Sequence, residues 1–334
     1  MHRNDLLIAL ASSTVLCSLL WAVDHGRRMG TADPRLLLDA ERQREIHTAM
    51  LLFADTDITG DLPRPGKINR FTAPGIGWRT GWGPENVRKN SSSHLYSAMI
   101  AQRYIDPAVL ISPGEVNPAV AAFGAKDDDA FDEYDYEAYQ PAADVYWMGD
   151  TADPSTVPPG TVPSTTVNRI FLSKINRPVP YGRGHASYAH LALESTRVGR
   201  WSNRADHRTA LLGTRGPKRG ATTGDEFDRS PTLRFFGPSD VWVGNVCLGD
   251  GQIKSMAAKS GGAFTVDGVD YTCAAGPIAD NIFESEFESC SLELDNDWEQ
   301  GDIHLSLSEI VTLSGSDSKP RVIHIYDAKE EVSP

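Results

Sequence analysis

Cysteine and positive charge are both scarce in this sequence of 334 residues. Only four cysteines are present, too few for a fold held together mainly by disulfides. Lysine and arginine together number 32, against 45 aspartate and glutamate residues, so the net charge is −13. Proteins that bind nucleic acid need a basic surface to neutralise phosphates. The composition therefore argues against nucleic acid as the main partner.

Sequence motifs of common enzymes are missing as well. The chain has no G-x-S-x-G elbow, no P-loop and no H-E-x-x-H motif, and no pair of cysteines has the spacing of a metal site. His185, Ser187 and His190 lie close together in the sequence. Neighbouring residues of an extended chain point to opposite faces, however, and a serine nucleophile needs direct contact with its base. We therefore predict a protein without enzymatic activity, with a hydrolase built around His185, Ser187 and an acid as the less favoured alternative.

One long uncharged run lies near the N-terminus, from Leu6 to Val23. As a helix its 18 residues would rise about 27 Å, which just spans the core of a bilayer. Its hydroxyl side chains leave a cleaved signal peptide as an alternative, although cleavage after Ala22 would put the bulky Leu20 at the −3 position. We predict that residues 1–30 are a membrane anchor or signal segment and that residues 31–334 form the exported body of a single-pass cell-membrane protein.

The remaining pattern predicts an α+β fold in which a helix leads into a mostly antiparallel sheet. Asp33 and Pro34 are typical of the N-cap and first position of a helix, and apolar residues continue at helical spacing to about Ala54. The region between residues 64 and 90 is loop-like, and a second short helix is expected from Ser93 to Tyr104. Short strands are expected at 169–175, 209–212, 241–248, 252–256, 303–313 and 322–326, with the clearest hairpin turn at 249–251.

Charge is distributed unevenly along the chain. Ten acidic residues and no lysine or arginine lie between Asp127 and Asp153, and thirteen acidic residues lie between Ser260 and Ser318, again without lysine or arginine. Between them, the segment from Arg169 to Arg219 carries eleven lysines and arginines. This order favours electrostatic docking, either within one body or between neighbouring subunits.

Several segments together resemble pilin-like and type II secretion pseudopilin-like proteins. The first, from Glu41 to Pro65, is similar to the pilin segment in which a helix ends in an A-D-x-D/N-x-G-x-L/F-P turn. Later segments are similar, in the same order, to a bacterial subgroup with large ectodomains: His94–Gln102, Val109–Glu115, Tyr136–Ala142, Ser187–Ala189, Leu211–Pro217 and Trp242–Gly251. The resemblance implies a pilin-like helix packed on a mostly antiparallel sheet with β-rich insertions. It also implies a structural or assembly role in a secretion-type or surface structure of the bacterial cell envelope, with other pilin-like subunits as partners.

The N-terminus departs from this family. A prepilin begins its apolar helix with a small residue, a phenylalanine and a glutamate, whereas this chain begins Met1-His-Arg-Asn-Asp5. The departure puts processing by a prepilin peptidase and incorporation into a pilus in doubt.

Two further segments contain candidate ligand-binding residues. Asp295, Asp297, Glu299 and Asp302 alternate around Gly301, as oxygen ligands do in calcium loops, and no lysine or arginine lies near them in the sequence. The alternative is a solvated acidic loop. Trp78 and Trp82 lie in a glycine-rich loop and could stack on a sugar or on another chain. An anchored module that binds a glycan or a peptide is therefore the second hypothesis for the function.

Overall fold

The structure, a computed structural model, confirms an α+β fold with an antiparallel sheet. It describes residues 33–57, 59–67, 71–73, 77–79, 85, 87, 90–117, 120, 122, 185–273, 276–285, 302–312 and 320–325. The expected anchor at residues 6–23 and the expected strand at 169–175 lie outside these ranges.

The first described helix, α1, covers Pro34–Thr56. The Asp33 side chain accepts a hydrogen bond from the Arg35 amide at 2.9 Å and caps the N-terminus, with proline in the first turn. The helix ends where predicted, in a turn at Asp57 whose side chain accepts the Thr59 amide. Its buried stripe recurs at helical spacing and includes Ile46, Met50 and Phe53, so this face packs into the core.

Six strands form the main sheet, and each pairing within it is antiparallel. The first two strands of the chain, β1 (Phe71–Ala73) and β2 (Gly77–Arg79), form a separate short hairpin. The next four belong to the main sheet: β3 (Tyr188–Leu191), β4 (Ala210–Thr214), β5 (Val241–Leu248) and β6 (Ile253–Lys259). A second separate hairpin, β7 (Asp270–Cys273) and β8 (Gly276–Ala279), precedes β9 (Leu305–Thr312) and β10 (Pro320–Ile325). The spatial order in the main sheet is β10-β9-β3-β4-β5-β6.

Two helices cover one face of the sheet. Helix α1 runs along β5: the Asn245 side chain donates to the Leu36 carbonyl, and His47 Nε2 lies 3.2 Å from the Gly249 carbonyl. Helix α2 (Ser92–Ala101) covers β3 and β9, since Ser92 Oγ accepts the amide of Ser308 in β9. Together the two helices bury β3 on this face of the sheet.

The opposite face of the sheet is covered by the chain between residues 260 and 285. Trp242 lies three residues before Asn245 in β5 and therefore points to the other side of the sheet. Its ring packs edge-on against Phe264 and Phe283, with ring centroids 5.4 Å and 5.3 Å away. The sheet is thus the middle layer of three, which is why Trp242 and Leu212 are fully buried.

Most predicted elements are confirmed, with shifts at their ends. The second helix begins one residue early and ends at Ala101, and the β5–β6 hairpin turns at 249–251 as predicted. Three strand regions were not predicted: the β1–β2 hairpin in a region expected to be loop-like, the buried strand β3, and the β7–β8 hairpin. These strands have three or four residues each, too few for an alternating pattern to stand out.

Candidate functional site: a buried carboxylate, a buried arginine and a polar cleft

Asp39 is the centre of a polar network at the interface between α1 and the sheet, where it is fully buried. Its Oδ1 accepts hydrogen bonds from Ser112 Oγ at 2.6 Å and from Tyr188 OH at 2.9 Å. Its Oδ2 accepts bonds from three further donors: Gln43 Nε2 at 3.0 Å, Thr214 Oγ1 at 3.0 Å and Asn245 Nδ2 at 2.9 Å. One side chain of the helix is thereby bonded to β3, β4 and β5.

The donors and the burial act on Asp39 in opposite directions. Burial raises the pKa of Asp39, and the hydrogen bonds from Ser112, Asn245, Tyr188 and Thr214 act to lower it without reversing the shift. The five hydrogen bonds satisfy both oxygens of the Asp39 carboxyl group without a metal ion. We therefore interpret this network as the connection that fixes the helix to the sheet.

Arg197 forms the second buried charge cluster. Its side chain is completely buried; Nε donates to Asp302 Oδ1 at 3.0 Å, and Nη1 donates to Glu194 Oε1 at 2.8 Å. Nη2 donates to Ser285 Oγ at 2.8 Å and also contacts Asp302. Asp302, one of the four predicted calcium ligands, is therefore the partner of a buried guanidinium.

Glu284 lies close to this cluster and is only partly buried. Burial raises its pKa, the hydrogen bond from Asn281 opposes the shift, and the negative charge of Asp302 adds to it. When folding raises the pKa of a carboxyl group, the folded state loses stability as the pH rises above the pKa that the group has in the unfolded chain.

Replacing Glu284 with glutamine should raise the melting temperature at pH 7, because the variant keeps an oxygen for the Asn281 amide without the unfavourable charge. At pH 4 the gain should be smaller, because the carboxyl is then largely protonated. Thermal melts of both proteins at the two pH values test this. An equal or larger gain at pH 4 would contradict it.

In the structure, Ser187 of the hydrolase alternative contacts an acid, and the nearby His190 contacts a different serine. Ser187 Oγ donates to Glu115 Oε2 at 2.8 Å, and Arg215 donates to the same oxygen at 2.6 Å. His190 Nε2 instead lies 2.7 Å from Ser92 Oγ, and its Nδ1 lies 2.8 Å from the Leu191 carbonyl. A carbonyl can only accept, so Nδ1 carries a proton, and in the neutral ring Nε2 then accepts from Ser92.

This Ser92–His190 pair has the hydrogen bond of an activated nucleophile but no exposure to substrate. Ser92 is 2 % exposed and His190 is fully buried, between the rings of Tyr96 and Trp201. The Ser92 oxygen also accepts the Ser308 amide, which fixes α2 to β9. We interpret the pair as a buried packing contact between helix and sheet. His185 is also buried.

A polar cleft of about 580 Å³ lies beside the ends of the segment from residue 64 to residue 90. This segment carries Trp78 and Trp82, the two tryptophans that the sequence predicts to bind a ligand. Arg64 and Glu85, which flank these tryptophans in the sequence, are ion-paired, and Arg64 Nε donates to Glu85 Oε1 at 2.9 Å. Asn90 Nδ2 donates to Glu85 Oε1 at 2.7 Å, and Asn90 Oδ1 accepts the Gly66 amide at 2.8 Å. Burial acts to raise the pKa of Glu85, but hydrogen bonds from Arg64 and Asn90 outweigh it and lower the pKa. Both ends of the segment are thus held together at one wall of the cleft.

The other predicted ligand residues are only partly within the described chain. Trp78 is the central residue of β2, with its backbone opposite Thr72, while Trp82 and three predicted calcium ligands, Asp295, Asp297 and Glu299, lie outside the described residues. Within the described residues, no group of three or more histidine, cysteine or acidic side chains could hold a metal ion. Among the same residues, no helix combines the length and the hydropathy of a membrane span.

The sequence prediction missed both buried charge clusters. One signal was available for Asp39: it lies four residues before Gln43 and seven before Ile46, on the stripe that α1 buries. A polar residue on such a stripe indicates a buried network. Arg197, by contrast, belongs to a segment rich in bases, and its sequence gives no sign that it is fully buried while Arg204 and Arg208 are exposed.

Comparisons with known proteins add no identification to this geometry. No protein-family model matches the chain, and neither the curated proteins nor the solved structures contain a detectable match.

Proposed function

We propose that this chain is a non-enzymatic, pilin-like protein of the cell envelope, anchored through residues 6–23 and carrying an exported body. It would serve as a structural or assembly component of a secretion-type or surface structure. The observation that carries the proposal is the attachment of α1. Ten residues separate the end of the apolar run at Val23 from this helix, which is bonded through Asp39 to three strands of an antiparallel sheet.

This arrangement suits an anchored subunit. A helix of 23 residues is about 34 Å long, and its N-terminus is the end that faces the apolar run in the sequence. Because α1 is fixed to the sheet, a displacement of its N-terminal end would be transmitted to the body. The buried Ser92–His190 pair and the fully bonded Asp39 also favour a structural over a catalytic role.

The anchor can be tested on the native protein. N-terminal sequencing of protein from membrane fractions should find a start before Leu6, and alkaline carbonate should not extract it. A variant that lacks residues 1–30 should appear in the soluble fraction. Recovery of the native protein in the soluble fraction with a start near Asp24 would refute the anchor and leave a cleaved signal.

Assembly between subunits should depend on salt. Arg200, Arg204 and Arg219 form no ion pair with any described residue, so they are available for acidic partners. If subunits dock through these charges, the assemblies of detergent-solubilised full-length protein should become smaller between about 50 mM and about 500 mM salt, as screening increases. Sedimentation velocity measures the change. A monomer at low salt, or assemblies of unchanged size, would contradict docking by charge.

A further inference from the structure

The polar cleft beside Arg64 and Glu85 has unused hydrogen-bonding capacity. A guanidinium has five N–H donors. Arg64 uses Nε and one N–H of Nη2 on Glu85 and one N–H of Nη1 on Asp61, so two N–H groups have no partner among the described residues. Glu85 Oε2 accepts a bond from Arg64 alone. The two side chains keep 14 % and 20 % exposure, so the cleft is open to a ligand that both donates and accepts.

Every charged side chain that lines the cleft is ion-paired. Arg64 is paired with Glu85, and Glu194, which also lines the cleft, shares the buried Arg197 with Asp302. The cleft therefore has no excess positive charge that would favour an anion. A hydroxyl group fits such an ion pair well, since it can accept from the guanidinium and donate to the carboxylate at the same time.

The remaining walls suit the carbon skeleton of the same ligand. Val198 contributes apolar surface beside the buried Leu193, and Gly199 leaves one side of the cleft without a side chain. The volume of about 580 Å³ is within the usual range for sites that bind small organic molecules. We propose that this cleft binds a short, neutral oligosaccharide, with Arg64 and Glu85 holding its hydroxyl groups. The proposal does not depend on the membrane anchor.

Gly199 allows the cleft to be blocked without disturbing the fold. A Cβ atom placed on Gly199 meets no atom within 4 Å, and its backbone is not in the left-handed region that only glycine adopts readily. Because Gly199 lines the cleft, we expect a phenylalanine at this position to narrow it, whereas an alanine leaves most of the cleft open. Gly199→Phe and Gly199→Ala are a matched pair, and circular dichroism should show the same spectrum for both.

Binding is measured by titration calorimetry on the full-length chain, in a detergent whose head group is not a sugar. The probes are maltotriose, cellotriose and tri-N-acetylchitotriose. We expect saturable binding of at least one trisaccharide with a Kd of about 0.1–1 mM. The affinity should fall about ten-fold or more in Gly199→Phe and stay within about two-fold in Gly199→Ala.

Three results would overturn the proposal. The first is that no trisaccharide binds at concentrations up to about 10 mM. The second is that Gly199→Phe binds as tightly as the natural chain, which would place the site elsewhere. The third is that triglycine binds as tightly as the sugars and is blocked by the same variant, which would make the cleft a peptide site.

Discussion

Replacing Asp39 with alanine should lower the free energy of unfolding by about 3–5 kcal/mol. The variant leaves the donors of Ser112, Tyr188, Gln43, Thr214 and Asn245 without their shared acceptor in a place that water does not reach. Buried donors that lose their acceptor keep the full cost of desolvation. Chemical denaturation of the purified full-length chain measures the loss.

The matched control is an acidic residue on the solvent side of the same helix. Asp55 is exposed near the C-terminus of α1, so Asp55→Ala should change stability by no more than about 0.5 kcal/mol. If both variants lose the same small amount, the network does not fix the helix to the sheet.

An asparagine variant separates the effect of the Asp39 charge on stability from the effect of the side chain's shape. In Asp39→Asn one acceptor oxygen becomes a donor that faces two or three other donors, so this variant should also be destabilised, by about 2–4 kcal/mol. Because burial raises the pKa of Asp39 in the folded state, the natural chain loses stability as the pH rises from about 4, and the variant lacks this loss. The stability difference between the two should therefore shrink between pH 4 and pH 7. A difference that grows over this range would show that the hydrogen bonds dominate and that the folded-state pKa is lowered.

The local elements of this fold were predictable because their signals are local. The cap at Asp33, the proline after it and the apolar spacing up to Phe53 all lie within one helix, and the turn at 249–251 separates two strands of β-forming residues. Strand β3 was missed because all four of its residues are buried, between β4 and β9 within the sheet and beneath two helices. Such a strand shows no alternation of polar and apolar residues.

The candidate sites were less predictable because their residues are far apart in the sequence. The partners of Asp39 come from positions 43, 112, 188, 214 and 245, and no local pattern connects them. Asp302 is the clearest example. It ends an acidic stretch whose spacing suggests calcium, but its described contact is with Arg197, 105 residues earlier in the chain. A local pattern of ligand residues therefore shows which side chains are available, but it does not show which residues they contact in the fold.

The second large effect is expected at Arg197. Replacing it with methionine keeps most of the side-chain volume but removes the guanidinium that pairs with Glu194 and Asp302, both at most 2 % exposed. Removing one partner of a buried ion pair costs about 3–5 kcal/mol, because the remaining charge stays buried without its counter-charge. Arg197→Lys keeps a positive charge but not the fork that reaches Ser285 as well, so its loss should be intermediate.

The pH dependence of this loss identifies its cause. With Arg197→Met the two carboxyl groups can escape their unfavourable charge only by taking up protons, so the loss in stability should be largest near pH 8 and smaller near pH 5. The control is Arg208→Met, which removes an arginine from an exposed pair with Asp206 and should cost no more than about 0.5 kcal/mol at either pH. Denaturation curves of the three variants at both pH values make the comparison. A loss for Arg197→Met that matches the Arg208 control, or one that is the same at both pH values, would mean that shape rather than charge pairing holds residues 194–200 against residue 302.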